Sequence, residues 1–505
     1  MVNNNSESET VDYVITPTDY KTAIKDGVDI SVRFKAFKPS LEGQIIKIIH
    51  RYLAKYDILY IKDTVVAITK EVINNAIKAN LKRLYFDKKG LDINNIADYR
   101  EGMTNFKSET FQSDFIDELD RSTFKTMVTF KLDSENLILS VANNVKILDS
   151  ELKKVQTRIE KAYQYADISE VFDDILDDSE GAGLGLIMSV MMMKNSGFKP
   201  GSYTISQNGD NTVSKISIPQ KFTEEKVKEK ISDEIINEIK ELPSFPENIL
   251  QIKNLCNDPE STVKKIAEHI SMDPGLAASV LKLANSAGYL SVQKVDTIEG
   301  AVVKIGFRGI KTLITASGVC SIMDGKYKNK FKQYDTIWKN SYKRAYYAQK
   351  LTSRYNLTKI NEIVYLAALL IDIGKIVLLS VNPELAVRIK NITNNDDMEN
   401  FNIVEEMSLG VSFSYIGSLI SKKWNFGDTI TYAIAFGKKP YMADPQYKAI
   451  INTIYLADCL VDLDNKRTRF NLIDEDVLSF FKLEDQEAFE KLYTLLNSSY
   501  NSDDK

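Results

Sequence analysis

The most informative shortage in this 505-residue sequence is histidine, which occurs only at His50 and His269. Catalytic metal centres of the imidazole type need several such ligands, so a His-rich metal centre is excluded. Cysteine is nearly as scarce, because Cys256, Cys320 and Cys459 are far apart and lack CxxC spacing. We therefore expect reduced, mostly buried thiols in a cytoplasmic protein.

The sequence also lacks positive net charge, a signal peptide and a long apolar run. Its formal net charge is −5, which gives no electrostatic footprint for nucleic acid or an anionic membrane. The N-terminus has no basic segment followed by an apolar one, and the most apolar stretch, 184–193, is too short to cross a bilayer. We expect a cytoplasmic protein that binds neither nucleic acid nor membrane.

Length and composition predict several domains of an ordinary globular protein. A chain of 505 residues exceeds what one core supports, and 44% of its residues are hydrophobic and 27% charged. The expected parts are a flexible arm or early edge strand at 1–28, an α/β domain at 29–220, a charged linker helix at 221–241, an all-α domain at 242–495 and a flexible tail at 496–505.

The first domain is predicted from its alternating strand and helix patterns. A strand is expected at 29–39, and two hairpins are expected at 126–142 and 202–219. Apolar periodicity predicts helices at 42–56, 64–84 and 150–166, whereas 86–130 is irregular apart from a helix near 114–119. Together these elements predict a mixed sheet covered by helices.

The helix at 64–84 carries the first candidate site. Glu71, Asn75 and Lys78 lie within about 60° of one another, beside the apolar stripe of the helix. A carboxylate, an amide and an ammonium in that arrangement suit a nucleotide with its magnesium. A solvated polar face explains the same pattern, and on the helix alone we would favour it.

Residues 71–80, EVINNAIKAN, resemble the N-box of the GHKL ATPase fold, which histidine kinases, anti-sigma kinases, gyrase and Hsp90 share. The resemblance implies an α/β sandwich that binds ATP with magnesium. It also implies that Glu71 is the general base where hydrolysis or transfer occurs, that Asn75 binds magnesium and that Lys78 contacts phosphate.

A glycine-rich segment, GAGLGL at 181–186, resembles the G2 box of the same fold. Gly181, Gly183 and Gly185 would let backbone N–H groups approach a phosphate, and the helix that follows would present its positive end. Close packing of a helix on a sheet is an equally good reason for such glycines.

One motif of that fold is altered. Where GHKL proteins have DxGxG, whose Asp binds the adenine amino group, this sequence reads VANNVKI at 141–147. Asn143 stands at the Asp position, and both glycines are absent. Because an amide replaces a charge-assisted hydrogen bond, we expect weak ATP binding or none.

The second domain is predicted around residues 272–289, MDPGLAASVLKLANSAGY. Asp273 can cap a short buried helix, and Pro274 fits its first turn. The run resembles the core signature of the HDOD domain, a catalytically degenerate relative of the HD metal-phosphohydrolase fold in bacterial signalling proteins. LPSFP at 242–246 and AVVKIG at 301–306 match the same family, and the resemblance covers roughly 229–493.

The positions that bind metal in active HD enzymes are mostly replaced. Ile371 stands where the His of the His-Asp pair should be, and only Asp372 remains. Asn340, Phe413 and Phe436 stand where further histidines occur. A lone carboxylate cannot hold a catalytic divalent ion, so Asp372 is expected to be a helix-capping or buried hydrogen-bonded group.

Two function classes follow. The leading one is a regulatory protein of bacterial signal transduction, in which a non-catalytic HDOD output bundle and a degenerate GHKL domain contact other signalling proteins. The alternative is an ATPase or protein kinase that uses Glu71, in the manner of anti-sigma kinases. The sequence leaves open the partner, the stimulus and whether copies of the chain assemble, and the histidine count opposes an HD phosphodiesterase.

Overall fold

The computed structural model describes residues 13–110, 113–165, 184–221, 233–285, 295–381 and 412–503. The chain divides into two compact units between residues 228 and 229. The first combines a β-sheet with helices, and the second is helical throughout its described residues.

The first unit contains one six-stranded sheet, in the order β1-β2-β3-β4-β6-β5. Its strands are β1 (Val14–Thr16), β2 (Ile30–Phe34), β3 (Thr126–Leu132), β4 (Asn136–Asn143), β5 (Tyr203–Asn208) and β6 (Asn211–Pro219). Every neighbouring pair is antiparallel, so the prediction of a mixed sheet is wrong. Tight turns join β3 to β4 and β5 to β6, and such turns reverse the chain.

Seven described helices accompany this sheet. They are α1 (Tyr20–Asp26), α2 (Pro39–Lys55), α3 (Lys62–Lys89), α4 (Ile96–Thr110), α5 (Ser113–Arg121), α6 (Asp149–Gln164) and α7 (Leu184–Asn195). For residues 1–28 the sequence predicts either a flexible arm or an early edge strand. The described part of this range contains strand β1 at the edge of the sheet, followed by helix α1. The Asp19 carboxylate starts α1 by accepting hydrogen bonds from the Lys21 and Thr22 N–H groups.

The core of the first unit lies on one face of the sheet. Alternate residues of β2 and β4 are buried there, and α3 packs against β4 with Val65, Ile68 and Val72 inside. The sequence pattern suggested that residues 86–121 are mostly irregular, but the described part of this range contains the end of α3 and the helices α4 and α5. A second cluster holds them together, in which Phe86 and Phe106 are buried.

Thirteen described helices form the second unit. They are α8 (Asp233–Glu241), α9 (Glu247–Asn257), α10 (Val263–Ser271), α11 (Pro274–Ala284), α12 (Ile298–Tyr327), α13 (Tyr334–Arg354), α14 (Asn361–Leu370), α15 (Ile373–Val381), α16 (Phe413–Lys423), α17 (Asp428–Phe436), α18 (Lys448–Asp464), α19 (Glu475–Phe480) and α20 (Gln486–Asp503). Helix α8 is the described part of the predicted linker helix. Helix α20 runs to Asp503, through most of the stretch for which a flexible tail is predicted, and Leu492 and Leu496 are buried on it.

Two glycines of the second unit have clear structural reasons. Gly306 interrupts α12 with φ +75°, a conformation that side-chain-bearing residues rarely adopt. It ends the AVVKIG segment, so this motif residue marks a break between two helical pieces. At Gly374 in α15, a Cβ atom would lie 2.0 Å from the Phe413 carbonyl oxygen, so only glycine allows α16 to approach this closely.

One helical stretch within the described residues, Thr358–Val381, is long and apolar enough to cross a membrane, with a mean hydropathy of 2.2. The stretch is longer than 184–193, the apolar run singled out from the sequence. Asp372 and Lys375 interrupt its apolar residues, but its mean hydropathy stays high. Within its most apolar 18 residues, 94% is buried inside the protein. The stretch includes α14 and α15, and it has the burial of a core segment.

Candidate functional site

A buried cluster of charged side chains surrounds Asp372. Arg344 of α13 donates from Nη2 to Asp372 Oδ2 at 2.7 Å and from Nε to Asp458 Oδ1 at 2.5 Å. Its Nη1 also reaches the Ala368 carbonyl oxygen at 3.4 Å. One guanidinium therefore bridges the carboxylate between α14 and α15 to the carboxylate of α18.

Lys438, just after α17, adds a second cation to this cluster. Its Nζ lies 2.9 Å from Asp372 Oδ1 and 3.7 Å from Asp458 Oδ2. Both oxygens of Asp372 thus accept a hydrogen bond from a cation. Arg344 is 3% exposed and Asp372 7%, so these charges balance one another away from solvent.

Opposing effects set the ionisation of the cluster. Burial alone would raise the pKa of Asp372, but Arg344 and Lys438 outweigh it and hold that pKa well below its usual range. Burial would lower the pKa of both cations, and the adjacent carboxylates raise it instead. Asp462, one turn after Asp458, behaves differently, since burial and then the Asp458 charge raise its pKa to about 6.

Apolar packing fills other positions that, by the resemblance to HD enzymes, correspond to metal ligands. A Cβ atom on Gly437 would lie 2.6 Å from Ile371 Cδ1, so Ile371 packs directly on this glycine. Phe413 is buried at the start of α16. Asn340, which the sequence places at an earlier His position, is half-buried, and Arg344 one turn further on makes the contacts with Asp372.

No local sequence pattern predicts the roles of Arg344, Lys438 and Asp458. Arg344 and Asp458 are separated by 114 residues, and Lys438 is 66 residues from Asp372. The available signal is a charge within an apolar helix, as at Asp458 in the run YLADCLV. Such a charge is rarely buried without a partner, so each predicts a partner without indicating which one.

The fold of the first unit brings some of the predicted nucleotide-binding residues together. A Cβ atom on Gly185 would lie 2.6 Å from Glu71 Oε2, so the Glu71 carboxylate rests against the start of α7. Asn75 is exposed and donates from Nδ2 to Glu71 Oε1 at 3.0 Å. Lys78 lies on α3 and is half-buried. Gly181 and Gly183 lie outside the described residues.

Asn143 is built into the fold of this unit. It ends β4, is 3% exposed, and donates from Nδ2 to Asn80 Oδ1 at 3.1 Å and to the Ala76 carbonyl oxygen at 3.4 Å. Asn80 is fully buried and donates in turn to Thr126 Oγ1 at 3.3 Å. An aspartate at position 143 would place a carboxylate against two oxygens, so the amide suits this environment better.

Among the residues that the structure describes, no group of three or more His, Cys, Asp or Glu side chains is placed to hold a metal ion. The carboxylates nearest to such a role, Asp372 and Asp458, point at Arg344 and Lys438. The charged cluster is therefore organised by ion pairs between side chains.

Comparison with known proteins gives a family match for part of the second unit. Residues 242–440 match the HDOD domain family. An uncharacterized protein of Treponema pallidum (strain Nichols) is 27% identical over 446 residues, which is 88% of this chain and 86% of that protein.

Two solved structures are similar to part of the chain. A candidate phosphohydrolase from Shewanella amazonensis SB2B is 28% identical over 54% of this chain and 96% of its own, with a TM-score of 0.41. A candidate signal-transduction protein from Marinobacter aquaeolei VT8 is 18% identical over 60% of this chain and 75% of its own, with a TM-score of 0.42. From the family match, the chain contains an HDOD domain at residues 242–440.

Proposed function

We propose that this chain is a regulatory protein of bacterial signal transduction, whose HDOD domain catalyses no hydrolysis and acts by contacting other signalling proteins. The observation that carries the proposal is the pairing of both Asp372 oxygens with Arg344 and Lys438. HD hydrolases activate water on a metal held by His and Asp ligands. Here the remaining Asp already has two cationic partners, and Ile371 occupies the adjacent His position.

The energetics support this proposal. A divalent ion that bound Asp372 would have to displace Arg344 or Lys438 from it, or lie beside them against the repulsion of like charges. An ion pair broken in a protein interior leaves an uncompensated charge, which costs roughly 3–5 kcal/mol. Metal coordination by one or two carboxylates without imidazole ligands offers little to offset that cost.

Exposed apolar side chains support a contact function. Met272 is 75% exposed and Val303 is 70% exposed, which makes them the most exposed large hydrophobic residues among those described in the second unit. Both lie on the segments that carry the HDOD resemblance, next to or within α11 and α12. Isolated exposed hydrophobic residues are common, so these two support the proposal only together with the charged cluster.

The partners in this proposal are proteins in the cytoplasm. The net charge of −5 disfavours nucleic acid and anionic membranes as partners of the whole chain. Assembly with a second copy is compatible with a signalling role.

Incubation of the purified full chain with manganese and cyclic dinucleotides tests the absence of hydrolase activity. We expect the nucleotides to stay intact, and the Asp372→Ala variant to give the same result. Turnover by the wild-type protein that disappears in Asp372→Ala would contradict the proposal.

A second candidate function is ATP-dependent catalysis by the first unit, as an ATPase or protein kinase. The contact between Glu71 and Gly185 favours it, because the resemblance to the GHKL fold requires these two segments to meet. In this candidate Asn75 holds magnesium, Lys78 contacts phosphate and Glu71 acts as general base. The internal hydrogen bonds of Asn143 oppose it.

Titration calorimetry of the full chain with ATP, with and without magnesium, tests this second candidate. We expect affinity roughly ten- to hundredfold below that of a site with an aspartate at the adenine position. Asn143→Asp strengthens binding only if the Asn80 amide turns to donate to the new carboxylate, so its folding is checked in parallel. Tight binding by wild type, together with turnover lost in Glu71→Ala, would make catalysis the leading function.

A further inference from the structure

A cavity of about 330 Å³ that is open to solvent lies between α1 and α2 of the first unit. Five described residues line it, of which one is apolar and four are cationic: Ile24, Lys21, Lys25, Arg51 and Lys55. The whole chain carries a net charge of −5, so this concentration of positive charge is against the trend of the sequence.

The four cations form two pairs on facing helices. Lys21 and Lys25 are four residues apart on α1, and Arg51 and Lys55 are four residues apart on α2. Residues at this spacing are neighbours on a helix surface, and like charges there repel each other. Both pairs line the cavity, so four positive charges surround it.

The backbone of α1 fixes one of these cations. Lys55 Nζ donates to the Ile24 carbonyl oxygen at 2.5 Å and lies 3.5 Å from the Lys25 carbonyl oxygen. These carbonyl groups belong to the last turn of α1, whose partial negative charge attracts an ammonium. Lys55 is thus positioned beside the cavity before any ligand arrives, and α1 and α2 are joined at this point.

We propose that this cavity binds an oligophosphate group, either of a soluble metabolite or of a polyphosphorylated lipid headgroup. Lysine and arginine are the usual protein partners of phosphate oxygens, and charge-assisted hydrogen bonds are the strong ones. The cavity has the size of a small-ligand site. With Ile24 as the one apolar side chain in its lining, the cavity offers mainly positive charge, which suits the several negative charges that an oligophosphate concentrates in a small volume.

Calorimetric titration of the full chain with inorganic tripolyphosphate tests this site. Lys21→Gln/Lys25→Gln should weaken binding about tenfold or more, because it removes two of four cations from exposed positions. Lys153→Gln/Lys199→Gln is the matched control, since it removes the same charge from exposed positions outside the cavity and should bind like wild type.

Two further experiments identify the source of the phosphate and separate this cavity from the candidate nucleotide site. Tighter binding to vesicles that contain a phosphoinositide bisphosphate than to tripolyphosphate assigns the lipid source, and the reverse assigns a soluble one. In the Lys78→Gln background, where any binding at the candidate nucleotide site is weakened, Lys21→Gln/Lys25→Gln should still weaken tripolyphosphate binding about tenfold. The proposal is overturned if wild type does not bind tripolyphosphate, if Lys21→Gln/Lys25→Gln binds as tightly as wild type, or if hexaglutamate binds more tightly than tripolyphosphate.

Discussion

The charged cluster of the second unit and the candidate nucleotide site of the first unit differ in where their polar groups find partners. Asp372 is buried and paired with cations from distant parts of the chain. Glu71 is half-buried, accepts from Asn75 one turn along the same helix and rests against Gly185. The first arrangement is held by tertiary structure, whereas the second consists mainly of neighbours on one helix.

This difference indicates how each site can respond to a ligand. In the second unit, Arg344 and Lys438 occupy the oxygens that a metal would need, so the protein supplies its own counter-charges. In the first unit, Asn75 is exposed, and its bond to Glu71 is of the kind that contributes only about 0.2–0.5 kcal/mol on a helix surface. A ligand could replace that bond at little cost.

The largest expected effect comes from breaking the charged cluster. Arg344→Met leaves Asp372 and Asp458 paired with Lys438, with Lys375 as a further positive charge near Asp372, and we expect it to destabilise the second unit by about 3–5 kcal/mol. Hydrogen exchange of the α13 and α18 amides measures this loss for that unit alone. Arg354→Met, an exposed change on the same helix, should stay within about 0.5 kcal/mol. A loss below about 1 kcal/mol for Arg344→Met would show that the pairing does not hold the cluster together.

The next effect depends on pH and concerns Asp462. Its pKa is raised from 3.8 to about 6, so between these values the folded chain binds more protons here than the unfolded chain. This contribution to stability is therefore present at low pH and is lost as pH rises through about 6. Asp462→Asn should stabilise the second unit at pH 7 by about 2–3 kcal/mol, and the gain should disappear near pH 4.

Hydrogen exchange of the α18 amides at several pH values measures the Asp462 effect. Asp335→Asn, an exposed carboxylate on α13, is the control and should give a curve parallel to wild type. A gain for Asp462→Asn that is equal at pH 4 and pH 7 would refute the linkage.

A smaller effect is expected at the buried amides of the first unit. Asn80→Leu removes one of the two acceptors of the Asn143 amide and the donor to Thr126, and should destabilise this unit by about 1–2 kcal/mol. Exchange of the β4 amides reports the loss, and Asn75→Ala, at an exposed position of α3, should change it by no more than about 0.5 kcal/mol. Protection unchanged in Asn80→Leu would mean that Asn143 is free for another role.

The smallest effect is expected at Gly185. A Cβ atom there meets the end of the flexible Glu71 side chain, which can rotate away, so Gly185→Ala should cost less than about 1 kcal/mol. Exchange of the α7 amides measures it. A loss well above about 2 kcal/mol would show that Glu71 is held rigidly, and the contrast with Asp372 would weaken.

Local patterns predicted much of the fold. Strands β2 to β6 and helices α2, α3 and α6 lie close to the positions that periodicity and turn residues indicate. Most of the helical structure within 86–121 was not predicted. Tyr85, Phe86 and Phe106 stabilise it by packing together, and such contacts join residues that are not neighbours in the sequence. Whether neighbouring strands run parallel or antiparallel also depends on tertiary pairing, which the local pattern does not contain.

The two candidate sites also differ in how much of each could be predicted from local sequence. Glu71 and Asn75 are one turn apart, so their contact follows from helix geometry, and the resemblance to the GHKL fold added Gly185. Asp372 could be recognised as a buried, hydrogen-bonded carboxylate, but its partners Arg344 and Lys438 could not. They come from other helices, and only the folded chain brings them together.

Calorimetric titration of the full chain with manganese, in wild type and in Asp372→Asn, tests the central claim most directly. The claim is that Arg344 and Lys438 occupy the position a metal would need at Asp372. We predict that the two proteins give the same binding curve, because no metal site includes this carboxylate. A one-to-one manganese site in wild type that is lost in Asp372→Asn would contradict the account.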